Sequence, residues 1–143
     1  MLLALLSTRA LPSIAQAAAP RFTVSLRAFP MSAFTKIPID TGMIQVTFSM
    51  NTVLKHPARF VTELQAVLAR KDTVSWHAFR PGFVRFWFHV AGPAAPYNLY
   101  VAQGATLVCG HRLYKLDRDL VKVLRHHIPE KDTYLALPKR RRQ

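Results

Sequence analysis

At 143 residues, half of them hydrophobic, the chain can bury the core of one domain and is too apolar for wholesale disorder. Its 20 Lys and Arg stand against 7 Asp and Glu, a formal charge of +13; such an excess points to a polyanionic partner, RNA foremost, and leaves the fold open. A single cysteine, Cys109, excludes an internal disulfide framework and any multi-cysteine zinc site.

Residues 1–40 read as a basic N-terminal arm. No acid precedes Asp40, and Pro12, Pro20, Pro30 and Pro38 prevent a long helix. Arg9, Arg21 and Arg27, scattered hydroxyls, many alanines and the apolar Leu2, Leu3, Leu5 and Leu6 make the composition of a mitochondrial presequence. The expected location is therefore the mitochondrial matrix. A secretory signal competes, because Ala15-Gln16-Ala17 has the small-x-small form of a cleavage site, but Arg9 interrupts the apolar run.

A folded domain is expected over residues 41–128. In residues 43–48, Ile44, Val46 and Phe48 alternate with Gln45 and Thr47, which predicts a strand. Pro57 suits a first helical turn, and residues 58–70 carry an apolar stripe of Phe60, Val61, Leu64, Val67 and Leu68. Residues 73–79 alternate weakly and predict a short strand. Pro81-Gly82 is a turn, and residues 83–90, aromatic and β-branched, are the strongest strand signal. After a rigid connection from Pro93 to Pro96 come strands at 97–102 and 106–109, joined by a turn at Gln103-Gly104.

A second helix is expected over residues 115–127, ending before Pro129. Leu116, Leu120, Val123 and Leu124 would face inward, and Arg118, Lys122 and Arg125 share another face. Residues 129–143 form a basic tail ending Lys139-Arg140-Arg141-Arg142. Residues 83–110 include Arg85, His89, Pro93 and Pro96, so no membrane span of ~20 apolar residues is expected. The expected fold is α+β, a small mixed sheet with two helices between basic extensions.

Several stretches resemble the thioredoxin-like mitochondrial ribosomal proteins, in particular of the large subunit. They are Ile44-Gln45-Val46-Thr47-Phe48, Glu63-Leu64-Gln65-Ala66-Val67, Gly104-Ala105-Thr106-Leu107-Val108 and the run from Leu116 to Leu124. The resemblance spans residues 43–128 and leaves arm and tail uncovered. It implies a thioredoxin-like domain in a non-enzymatic ribosomal subunit that contacts rRNA and neighbouring mitochondrial ribosomal proteins.

The residues themselves agree with a chain that is no enzyme. Where a redox thioredoxin needs Cys-x-x-Cys, this chain has Ser49-Met50-Asn51-Thr52. No Ser-His-Asp arrangement, glycine-rich phosphate loop or paired carboxylates stand out, so no cofactor or small-molecule substrate is expected. Cys109 reads as a small buried hydrophobe. His126 and His127 are adjacent, expected to point apart, and fit the negative end of a helix, so no metal is expected. His77 and His89 are expected on strands among aromatics. The expected RNA contacts are Arg118, Lys122, Arg125, Lys139, Arg140, Arg141 and Arg142, acting on phosphates without reading sequence, joined by Arg9, Arg21 and Arg27 if the arm persists. The rival reading is an accessory subunit of a mitochondrial respiratory or ATP-synthase complex, docking through its aromatic strand at residues 83–88.

Overall fold

Val24, Leu26 and Ala28 alternate with Ser25 and Arg27, the signature of a strand with one buried face. They form β1 (Thr23–Ala28) in the computed structural model, which describes residues 21–136. After it come β2 (Met50–Val53), α1 (Pro57–Leu68), β3 (Val84–Ala91), β4 (Tyr97–Ala102), β5 (Thr106–Cys109), β6 (Arg112–Lys115), α2 (Arg118–His127) and a single turn, α3 (Lys131–Tyr134). The class is α+β. The strands form one sheet in the order β2-β1-β3-β4-β5-β6, and every ladder is antiparallel.

That sheet differs from the mixed one expected, and β1 is the reason. It pairs antiparallel with both β2 and β3, so those two run in the same direction but never touch. α1 carries the chain across β1 between them, and the parallel pair that this connection implies is split by an inserted strand. From β3 onward the strands form a meander.

Three elements expected from the sequence take other forms. Residues 43–48 hold a 3-10 turn, Met43–Gln45, because the Asp40 carboxylate accepts from the amides of Gly42 (2.9 Å) and Met43 (2.8 Å) and starts a helical turn. Ile44 is buried there while Val46 is exposed, so the apparent strand face does not exist. Residues 73–79 likewise hold a 3-10 turn, Trp76–Ala78, initiated by the Ser75 hydroxyl accepting from the His77 amide. The second helix begins at Arg118 because Asp117 caps it, accepting from the Leu120 amide at 3.1 Å. Residues 112–115, just before it, pair with β5.

The helices cover one face of the sheet. Along successive strands Leu26, Phe88 and Leu99 lie side by side, as do Ala28, Phe86, Val101 and Leu107. All are buried in one cluster with Phe60, Leu64, Leu120 and Leu124 of the two helices. Tyr134 and Leu135, from the expected tail, join this core. The Tyr134 carbonyl accepts from the Met31 amide (2.8 Å), and its hydroxyl meets the Ser49 hydroxyl (3.0 Å). The folded unit therefore takes in residues on both sides of 41–128. The opposite face carries a smaller cluster of Ile39, Ile44 and Val84, flanked by Trp87 and Tyr100 and roofed by the 3-10 turn at Met43–Gln45.

Candidate functional site

α1 and α2 lie antiparallel across the sheet. At one end of the pair Lys71 forms an ion pair with Asp117; at the other, Glu63 meets His126 and His127. Apolar stripes press both helices on the sheet, which turns their polar flanks toward each other and toward solvent.

Arg118 and Lys122 are exposed on α2. Arg125, expected beside them, is half-buried and donates to Asp132 at 2.7 Å, so its charge is met within the fold. Lys139, Arg140, Arg141 and Arg142 lie outside the described residues, as does Arg9. Arg21 is exposed just before β1. Arg27 serves the fold: its guanidinium lies 4.9 Å from the Phe48 ring centroid and 5.2 Å from that of Trp87, and donates to the Gln45 carbonyl. It holds the 3-10 turn on the sheet and is not a free phosphate ligand.

Most of the acids are taken up within the fold, although Asp119 and Glu63 line the same groove as Arg70 and Lys122. Four of the seven are engaged internally: Asp40 in its turn, Glu63 with the histidines and Arg59, Asp117 as a cap and with Lys71, and Asp132 with Arg125. Arg70, Arg112, Lys115, Arg118 and Lys122 are exposed and make no ion pair among the described residues. Arg70 and Lys122 line one groove between the helices. Arg112, Lys115 and Arg118 follow one another along the edge strand β6 into α2. Arg70 is set beside α2 only by the tertiary fold, whereas Arg112 and Lys115 precede α2 in the chain but lie on the edge strand β6.

The histidine pair departs from expectation. His127 Nε2 lies 2.8 Å from Glu63 Oε2, and His126 Nδ1 lies 3.3 Å from the same oxygen, so the two imidazoles converge. Their ring centroids are 4.9 Å apart, and the His127 ring sits edge-on to Phe60. Arg59 donates to the other oxygen, Glu63 Oε1, at 2.8 Å. The hydrogen bond from His127, helped by Arg59 and opposed by desolvation, holds the Glu63 carboxyl down at about 2. Nothing in the separation of 63 residues between acid and histidines announces this meeting; only the antiparallel helix pair creates it.

His77 lies on the exposed 3-10 turn and not on a strand. His89 is on β3, where its Nδ1 lies 2.9 Å from Asn98 Oδ1, the oxygen that also accepts from Trp87 Nε1 at 3.0 Å. Cys109 sits at the end of β5, partly buried, and burial pushes its thiol above the ordinary value. Ser49 immediately precedes β2 and Met50-Asn51-Thr52 lie within it, so this stretch offers no helix-start thiol position. Arg85 is 2% exposed; it donates to the carbonyls of Val84 and Ala33, and desolvation lowers its pKa. Among the described residues, no helix is long and apolar enough to cross a membrane. No family model, no curated protein and no solved structure matches this chain.

Proposed function

We propose that the chain is a non-enzymatic structural subunit of a ribonucleoprotein, consistent with its resemblance to thioredoxin-like proteins of the mitochondrial large ribosomal subunit and with residence in the mitochondrial matrix. One observation carries this reading: the fold engages most of its few acids internally and leaves Arg70, Arg112, Lys115, Arg118 and Lys122 exposed. Cations distributed over a helix and an edge strand neutralise a phosphate backbone and fix position without reading bases. Exposed apolar side chains support contact with neighbouring proteins. Phe34, 95% exposed, lines a groove with Ile37 and Phe83.

The rival, an accessory subunit of a respiratory or ATP-synthase complex, was to dock through the aromatic strand. Phe86 and Phe88 are buried beneath the helices and leave only Phe83 well exposed from that run. The ribonucleoprotein reading is therefore preferred.

Sedimentation of a mitochondrial lysate with and without ribonuclease tests it. Migration with the large ribosomal subunit, lost on ribonuclease treatment, is the expected result; migration with a membrane complex regardless of ribonuclease refutes it. In a filter-binding titration, Arg118→Ala with Lys122→Ala should lower RNA affinity and reduce the log–log salt slope by about 1.4, roughly 0.7 per lost single-strand phosphate contact. An unchanged slope would remove these two residues from the interface.

A further inference from the structure

The meeting of Glu63, His126 and His127 is more than a hydrogen bond between helices. One carboxylate oxygen faces two imidazole nitrogens, at 2.8 and 3.3 Å, and all three atoms lie within 4.8 Å of one another. Four ligands at about 2.0 Å from a tetrahedral zinc ion stand about 3.3 Å apart. Two of the three edges, 2.8 and 3.3 Å, are close to that spacing, and the third, between the two imidazole nitrogens, is within 4.8 Å, so side-chain rotation suffices to admit an ion.

We propose that Glu63, His126 and His127 bind a divalent transition-metal ion, zinc by the match of two imidazoles and one carboxylate to its tetrahedral preference. The fourth position is left to water. Three features around the cluster support the assignment. Arg59 occupies Glu63 Oε1 and so presents Oε2, the oxygen facing both rings, as a single-atom ligand. The His127 side chain is only 3% exposed and its ring is set by the edge contact with Phe60, so its nitrogen is aimed before any ion arrives. Both histidines belong to the last turn of α2, whose terminal carbonyls favour a cation. His126 is 49% exposed and borders the grooves on both sides of the cluster, which gives the ion an entry path.

The positive charge of Arg59 and of the chain as a whole opposes a second cation, so the affinity expected is modest. The ion's role follows from what it would join. α1 supplies the carboxylate and α2 the imidazoles, so binding fastens the end of α2 to α1 and adds to folding stability.

The test uses the full chain, freed of metal with a chelator and titrated with Zn²⁺ by calorimetry, then with Co²⁺ by visible absorption. One equivalent of zinc should bind and raise the melting temperature by roughly 5–10 °C at saturation. Cobalt should give the intense bands of a four-coordinate centre. His126→Gln is the first variant, because that side chain is half exposed and its replacement spares the core. It and Glu63→Gln should each weaken binding at least tenfold and abolish the cobalt bands. Cys109→Ser and His111→Gln, which remove a thiol and an imidazole at the β5–β6 turn, should leave binding unchanged. Absence of saturable binding overturns the proposal, as does equal binding by His126→Gln, or a loss of binding confined to the Cys109 and His111 variants.

Discussion

The two faces of the sheet solve the same problem by different means. On the helix side, Leu26, Phe88 and Leu99 meet α1 and α2 in a dry layer, with Phe60 stacked on Phe88 at 5.2 Å. On the other side, Arg27, Trp87 and Tyr100 form the equivalent row, and the cover is a 3-10 turn held down by a guanidinium between two aromatic rings. The closed face needs only apolar surface of matching shape. The open face is partly wet and leaves Val46 and Val53 exposed, so its order depends on directional contacts to Arg27, Gln45 and Asn98. Burial dominates on the first face; on the second, the small buried cluster of Ile39, Ile44 and Val84 is joined by polar contacts that fix the covering turn.

Adjacent residues on β3 give the strongest way to break this contrast. Phe88→Ala should cost about 3–5 kcal/mol in urea unfolding, because it opens a cavity among Phe60, Leu26 and Leu99. Trp87→Ala, one residue away and pointing the other way, should cost only about 1–2 kcal/mol. Equal losses would make the open face a second core. Arg27→Met should lose about 1–2 kcal/mol through the two ring contacts and the Gln45 bond, yet leave RNA affinity unchanged. A fall in affinity with intact folding would return Arg27 to the nucleic-acid surface.

Smaller effects sharpen the comparison at the rim of the closed face. Asp117→Ala removes the cap of α2 and the partner of Lys71, and should cost about 1 kcal/mol in the same unfolding assay. Cys109 should react slowly with an alkylating reagent near neutral pH. Burial raises its thiol pKa, so the thiolate fraction is below that of an unfolded thiol and grows only as pH rises. Labelling of the native chain as fast as that of the urea-unfolded chain would show that the end of β5 is open.

Both helices, β3, β4 and β5 are legible in the sequence: the helices by their apolar stripes, the strands by apolar, aromatic or β-branched residues between turn signals, with Pro57 opening α1 and Pro129, Gly92, Gly104 and Gly110 following α2, β3, β4 and β5. β1 was hidden. Its alternation is as clean as that of β4, but it lies among prolines and basic residues that resemble a targeting segment. In β6 the two buried residues, Leu113 and Tyr114, are adjacent, so no alternation sets it apart from the helix that follows. The false strand at residues 43–48 shows the opposite error. Its alternation is real, but one Asp40 side chain supplies two hydrogen bonds that favour a turn, and a local contact of that kind outweighs a three-residue pattern. Of the surface cations, Arg118 and Lys122 were legible from helical spacing. Arg125 was not, because its partner Asp132 lies beyond the helix end.

The sequence alone determined the α+β class, the apolar faces of two helices, the strong positive charge and the absence of a dithiol motif, since all of these are local or compositional. The tertiary structure alone decided the rest. It set the insertion of β1 between β2 and β3, the withdrawal of Arg27 and Arg125 from the free cations, and the convergence of Glu63 with His126 and His127. The partners of Arg27 and the acid facing the histidines lie far away in the chain, and Asp132 lies beyond the helix end, so the pairing of strands, the docking of the 3-10 turn and the packing of the helices had to bring these groups together.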